Sequence, residues 1–127
     1  MNNTSLIGRL TKDVDVKYTQ SGKAVGQFVL AVNRPFKNPQ GNYDADFISC
    51  VIWDQPAETL AQYAGKGSQI GLNGRIQTRN YDDKTGKKVY VTEIIVERFQ
   101  LLEKREGNAP LSSLMYVSIV FTNQSPY

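Results

Sequence analysis

A chain of 127 residues, 40% hydrophobic and 21% charged, has room for one compact domain and has the composition of neither a disordered nor a fibrous protein. No stretch approaches the roughly 18 apolar residues of a membrane helix, and the single cysteine, Cys50, excludes an internal disulfide. The opening Met1-Asn2-Asn3-Thr4 lacks the charged and apolar regions of a secretory signal, so the expected location is the cytoplasm.

The formal net charge of +3 is mildly basic and unevenly placed: all fifteen Lys and Arg lie within residues 1 to 105, and residues 106 to 127 carry only Glu106. That division predicts a folded domain over 1–105 and a tail over 106–127. The absence of histidine removes the commonest general base and metal ligand.

In chain order, residues 4 to 10 and the alternation of Val14, Val16 and Tyr18 read as two short strands, with Gly8 marking a bulge. Ser21-Gly22 is a turn. Ala24 to Asn33 reads as a longer strand with Phe28, Leu30 and Val32 on one side, and Pro35 to Asn42, with two prolines and a glycine, reads as a loop. Phe47 to Trp53 is the most informative strand. Alternation sends Ile48, Cys50 and Ile52 to one face, suited to a core, and Phe47, Ser49, Val51 and Trp53 to the other.

Asp54 as N-cap, Pro56 in the first turn and Ala57, Leu60, Ala61 and Ala64 at helical spacing predict one short helix ending at Gly65 and Gly67. Gln69 to Tyr81 returns to period two, with Arg75, Arg79 and Tyr81 on one face. Asn73-Gly74 would signal a tight hairpin by itself, but the alternation runs straight through it. Asp82 to Lys88 is a hairpin loop, and Val89 to Val96 and Phe99 to Leu102 are the last strands. About five short strands, with a helix between the third and fourth, match an all-β five-stranded Greek-key barrel, the OB-fold, whose central strands and loops bind oligonucleotides or oligosaccharides.

Phe36, Phe47, Trp53 and Tyr81 therefore lie on or beside strands, with Arg34, Lys37, Lys66, Arg75 and Arg79 between them and Lys84, Lys87 and Lys88 crowded on one hairpin. A flat ring can stack on an unpaired base while a nearby cation neutralises the adjoining phosphate, so the pattern points to single-stranded nucleic acid. The competing reading of strand aromatics is a protein interface, which would make the molecule an adaptor. Asp13 with Asp15, Asp44 with Asp46 and Asp82 with Asp83 are the carboxylate pairs a phosphodiesterase reading would look to, and turn formation explains them more simply. No phosphate-binding loop, zinc motif or catalytic triad is present, and Cys50 on the aliphatic face reads as a small buried hydrophobe. Neither an enzyme nor a cofactor or metal site is expected. An oligosaccharide ligand fits the fold, but the interleaved cations favour a polyanion.

Ile7-Gly8-Arg9-Leu10, Ala31-Val32-Asn33-Arg34, Asp46-Phe47 through Trp53, Ala57-Glu58-Thr59-Leu60, Tyr63-Ala64-Gly65-Lys66-Gly67-Ser68, Gly74-Arg75-Ile76-Gln77-Thr78-Arg79 and Val91-Thr92-Glu93 resemble, in order, the bacterial-type single-stranded DNA-binding proteins. The resemblance spans about residues 1 to 103. It implies an OB-fold protomer, usually in a homotetramer, that coats exposed single-stranded DNA during replication, recombination and repair without strong sequence preference. It also implies base stacking at Phe36, Phe47, Trp53 and Tyr81, with Trp53 the one indole among them. The family commonly ends in an acidic segment with an apolar tip that recruits replication or repair proteins. Here the tail is nearly uncharged and contains the β-prone run Leu114 to Phe121, which puts that recruitment in doubt.

Overall fold

The computed structural model describes residues 1–102, so the expectations for the tail and for a domain end at 105 fall outside the described residues. Six strands and one helix follow in order: β1 (Thr4–Leu10), β2 (Asp15–Tyr18), β3 (Ala24–Lys37), β4 (Tyr43–Trp53), α1 (Gln55–Tyr63), β5 (Gln69–Asp82) and β6 (Lys88–Leu101). The sheet order is β1-β5-β6-β4-β3-β2, and β1 also pairs with β3 through Arg9 and Leu10, which closes the barrel. Because β1 and β2 are two segments of the first barrel strand, the result is a closed five-stranded OB-fold with its helix between β4 and β5. Every ladder is antiparallel except β4 with β6, where Cys50 and Val51 pair with Ile94 and Ile95.

Alternation fills the interior. Leu10, Phe28, Leu30, Cys50, Ile52, Ile70, Leu72, Ile94, Val96 and Phe99 all point inward, and Ala57 and Leu60 of α1 join the same cluster. The helix packs against β2, β3 and β4, so its apolar face completes the core. Asp54 does occupy the N-cap position, but its φ is 66° and its side chain makes no capping bond. Pro56 in the first turn and packing of Ala57 and Leu60 hold the helix start instead.

Three hairpin turns share one design. In Thr19–Lys23, Asn38–Asn42 and Asp83–Lys87 the first residue's N–H donates to the fifth residue's carbonyl, and the fourth residue, always glycine, donates back to the first. Those glycines, Gly22, Gly41 and Gly86, have φ of 87°, 85° and 83°. This is a type I turn followed by a left-handed glycine, the usual three-residue hairpin connection. The side chain of the first residue ties the loop: Asn38 Oδ1 accepts the Gln40 and Asn42 N–H groups, and Asp83 Oδ1 accepts those of Thr85 and Lys87. The Thr85 hydroxyl hydrogen bond is the main reason the Asp83 carboxyl is held below its ordinary pKa. Asp83 is thus a turn-forming group.

Three local expectations change and one holds. Gly8 is not a bulge: β1 stays in regular register with β5 around it, and a Cβ there would collide with the Ala31 carbonyl where β1 crosses onto β3. Pro35 to Lys37 are not loop, because β3 continues to Lys37 through a register shift between Asn33 and Lys37 that accommodates a residue without an N–H. The loop shortens to Asn38–Asn42. The last two strands are one, since β6 passes Val96 and Phe99 continuously with Glu97 as the extra residue opposite Asn73 and Gly74. The alternation of β5 does run through Asn73-Gly74, as read from the sequence.

Candidate nucleic-acid interface

Residues of odd number on β3, β4 and β5, and on β6 from Val89 to Ile95 before its extra residue, project outward on one continuous barrel face. Cross-strand pairs fix their neighbours: Val25 lies opposite Trp53, Ala31 opposite Phe47, Arg79 opposite Val91 and Tyr81 opposite Val89, while Ile95 pairs with both Val51 and Arg75. Phe47, Trp53, Arg75, Arg79 and Tyr81 therefore share one surface, as their spacing predicts.

Their exposure separates them. Phe36, Phe47 and Tyr81 are 79%, 69% and 48% exposed, but Trp53 is only 9% exposed. Its indole packs with Val25, Val51 and Ile95 in a second apolar cluster on the outer side of the sheet. The expectation of four open rings is thus corrected to three. The reason is that the outward residues at this end of β3, β4 and β6 are themselves apolar, and the largest side chain covers them. Phe36 lies in the irregular stretch of β3, on the hairpin arm that extends past the barrel.

The cations fall into two groups. Arg79 Nε donates to Glu93 Oε1 at 3.1 Å and its guanidinium lies over the Tyr81 ring at 5.8 Å from the centroid. Arg75, largely covered, reaches Glu97 at 3.8 Å. Arg34 is bound to Asp46, whose side chain leaves β4 on the face opposite Phe47, so Arg34 is not brought to the ring surface. The hydrogen bond from Arg34 holds the Asp46 carboxyl below its ordinary pKa.

Lysines make up the second group. Lys37 sits opposite Tyr43 with its ammonium 5.8 Å from that ring's centroid. The Lys66 N–H donates to Asp13 at 2.8 Å, which sets it beside the β1–β2 connection. Lys84, Lys87 and Lys88 crown the β5–β6 hairpin, and these three and Lys66 have no carboxylate partner among the described residues. A groove of about 410 Å³ crosses the same face, lined by Lys12 and Asp13 from the β1–β2 connection, by Ser49 and Val51 of β4, and by Arg79 and Glu93 of the β5–β6 hairpin. It is open, its walls are of mixed polar and apolar character, and Lys12 and Arg79 are the cations that line it.

Two residues escaped the sequence reading. Tyr43, half-exposed, lies on the Phe47 face of β4, and extending the alternation back from Phe47 through Ala45 reaches it. Glu93 is the one charged side chain buried among the described residues, at 4% exposure, and it follows from alternation through Val91, Glu93 and Ile95 once β6 is registered on β5. Cys50, 1% exposed, has its thiol pKa pushed up to about 12 by burial and, second, by the charge of Glu93. The carboxylate pairs are dispersed: Asp15 meets Lys17, Asp44 accepts from the Asn38 side chain, and Asp46 meets Arg34. No group of three or more metal-ligating residues occurs among the described residues.

Comparison with known proteins gives the same direction. A protein called single-stranded DNA-binding protein from Enterococcus faecalis is 59% identical over 108 residues, 85% of this chain, and the match spans only 57% of that relative's length. Single-stranded DNA-binding protein 1 of Streptococcus pyogenes is 58% identical over 114 residues, covering 90% of this chain and 88% of the relative. The protein of the same name from Streptococcus agalactiae is 56% identical over 115 residues, covering 88% and 71%. The model of the single-strand binding protein family matches residues 1–102, the whole barrel described above, and on that match the chain belongs to the single-strand binding protein family.

Proposed function

We propose that this protein binds single-stranded DNA without strong sequence preference and protects exposed strands during replication, recombination and repair. The observation that carries the reading is the outward face on which Phe47 and Tyr81 stand open beside Arg79 and the lysines of the β5–β6 hairpin, with Phe36 and Lys37 exposed on the adjoining β3–β4 arm. Unpaired bases stack on the rings, and the cations follow the phosphates between them. Stacking contributes about 1–3 kcal/mol per base, so three rings supply several kcal/mol before any ionic contact is counted. Trp53 enters as the floor of the surface, its exposed edge meeting bases that the open rings hold.

Binding is the whole activity in this reading, with no catalytic step and no cofactor. Residues 1–105 form the DNA-binding domain, assembled as a homotetramer in the cytoplasm, and residues 106–127 form a separate tail. Among the described residues no helix is long and apolar enough to cross a membrane.

The reading is tested by titrating the protein with fluorescently labelled oligo(dT) and with duplex of equal length at two ionic strengths. Tight binding to oligo(dT) that weakens with salt, at a logarithmic slope of about 0.7 per phosphate neutralised, supports it. Equal binding to duplex would refute it, because paired bases cannot reach the rings. Light scattering of the free protein checks the tetramer.

A further inference from the structure

A buried carboxylate is out of place on a surface meant for a polyanion. Glu93 nonetheless faces the groove from β6, 4% exposed, flanked along its strand by Val91 and Ile95. Leaving such a group charged and covered costs free energy unless it is hydrogen-bonded, and it repels phosphate besides. Its bond is to Arg79, diagonally across the β5–β6 ladder, whose Nε donates at 3.1 Å.

That bond uses one of the five N–H donors of the guanidinium, and the four terminal ones remain for an anion. Arg79 also lies over Tyr81, two residues on along the same face of β5. With one side of the phenol ring taken by the guanidinium, the other is left for a base. Glu93, Arg79 and Tyr81 thus form a chain running from the covered sheet to the open ring.

We propose that Glu93 is a positioning residue that locks Arg79 against Tyr81, so that the pair acts as one subsite for a nucleotide, the phenol ring taking the base and the terminal guanidinium nitrogens its phosphate. The inference rests on the single-stranded DNA reading above. An unfixed arginine would carry the same charge but lose side-chain entropy on ordering at each encounter. The carboxylate has already removed that freedom.

Charge and position make opposite predictions, which decides the test. Glu93→Val keeps the packing beside Val91 and Ile95 and deletes a negative charge, so a purely electrostatic Glu93 makes the variant bind oligo(dT) more tightly. Positioning makes it bind several-fold more weakly and lowers the salt slope by about 0.7, as though Arg79 had been removed. Arg79→Ala alone should show the same loss, and Glu93→Val combined with Arg79→Ala should be no worse than Arg79→Ala. Glu93→Gln, which retains an oxygen acceptor for Nε, should restore the slope.

All variants are compared at equal thermal stability and oligomeric state, with Glu93→Gln deciding the question if the valine variant does not fold. Unchanged or tighter binding by Glu93→Val, strict additivity of the double variant, or failure of Glu93→Gln to hold the slope would overturn the proposal. Wild-type protein that ignores oligo(dT) would overturn the DNA reading and this inference together, whereas wild-type binding with an indifferent Glu93 removes only the inference.

Discussion

Arg34 grips Asp46 across the β3–β4 hairpin, with Nη2 2.9 Å and Nε 3.1 Å from the same carboxylate oxygen. The pair stands on the side of β4 away from Phe47, and both side chains are half-exposed. Three of the five guanidinium donors stay available, but a phosphate that meets them also meets the negative charge of Asp46, which repels it.

Asp46→Asn should therefore free Arg34 and strengthen oligo(dT) binding, steepening the salt slope by about 0.7 if one further phosphate is contacted. The same competition is visible by pH. Asp46 has its pKa lowered in the folded protein by the Arg34 hydrogen bond, so the pair's contribution to stability is present above the ordinary carboxylate range and is lost as pH falls through the depressed value. If bound DNA draws Arg34 away, NMR titration of the Asp46 carboxyl will show its pKa rising toward the ordinary range on saturation. An Asp46 resonance indifferent to DNA, with an unchanged slope for Asp46→Asn, removes Arg34 from the path.

Trp53 and Phe47 occupy one face of one strand yet should respond oppositely to truncation. Trp53→Ala opens a cavity over Val25, Val51 and Ile95, and large aromatic truncations of this kind cost about 3–5 kcal/mol of stability. Phe47→Ala, on an open ring, should leave stability within about 0.5 kcal/mol and weaken oligo(dT) binding by about 1–3 kcal/mol. Denaturant unfolding and oligonucleotide titration of the two variants check the pair.

Cys50 should be inert to thiol reagents. Burial raises its pKa to about 12, so at pH 8 almost no thiolate forms and nothing reaches it. Reaction with a chromogenic disulfide should be absent in native buffer and complete in denaturant; rapid native labelling would show that the barrel opens around β4, whose Cys50 pairs with both β3 and β6.

Much of this architecture is legible in the chain. Period-two alternation places Ile48, Cys50 and Ile52 inside and Phe47 and Trp53 outside, and it carries β5 correctly through Asn73-Gly74. What alternation cannot supply is the cover over each face. Trp53 lies on the side the pattern assigns, yet the residues that enclose it, Val25 and Ile95, come from other strands, and only the register brings them there. The Arg79–Glu93 bond is hidden for the same reason.

The β3–β4 arm was obscured differently. Pro35 and Pro39 signal a loop, and locally Pro39 does sit in the turn, but a register shift lets β3 continue past Pro35. From sequence the strand opposite it consequently starts at Phe47, which leaves Tyr43, the first residue of β4, out of view. The shared turn is written openly: Thr19, Asn38 and Asp83 each precede a glycine by three residues.

The central claim is that open rings hold unpaired bases. Its most direct test is isothermal calorimetry of oligo(dT) binding to the variant carrying Phe36→Ala, Phe47→Ala and Tyr81→Ala, with every cation retained. The account predicts that the variant folds, keeps a salt slope close to that of the wild type and loses several kcal/mol of affinity, about 1–3 per ring. Affinity equal to that of the wild type would show that the rings do not hold the bases and would contradict the account.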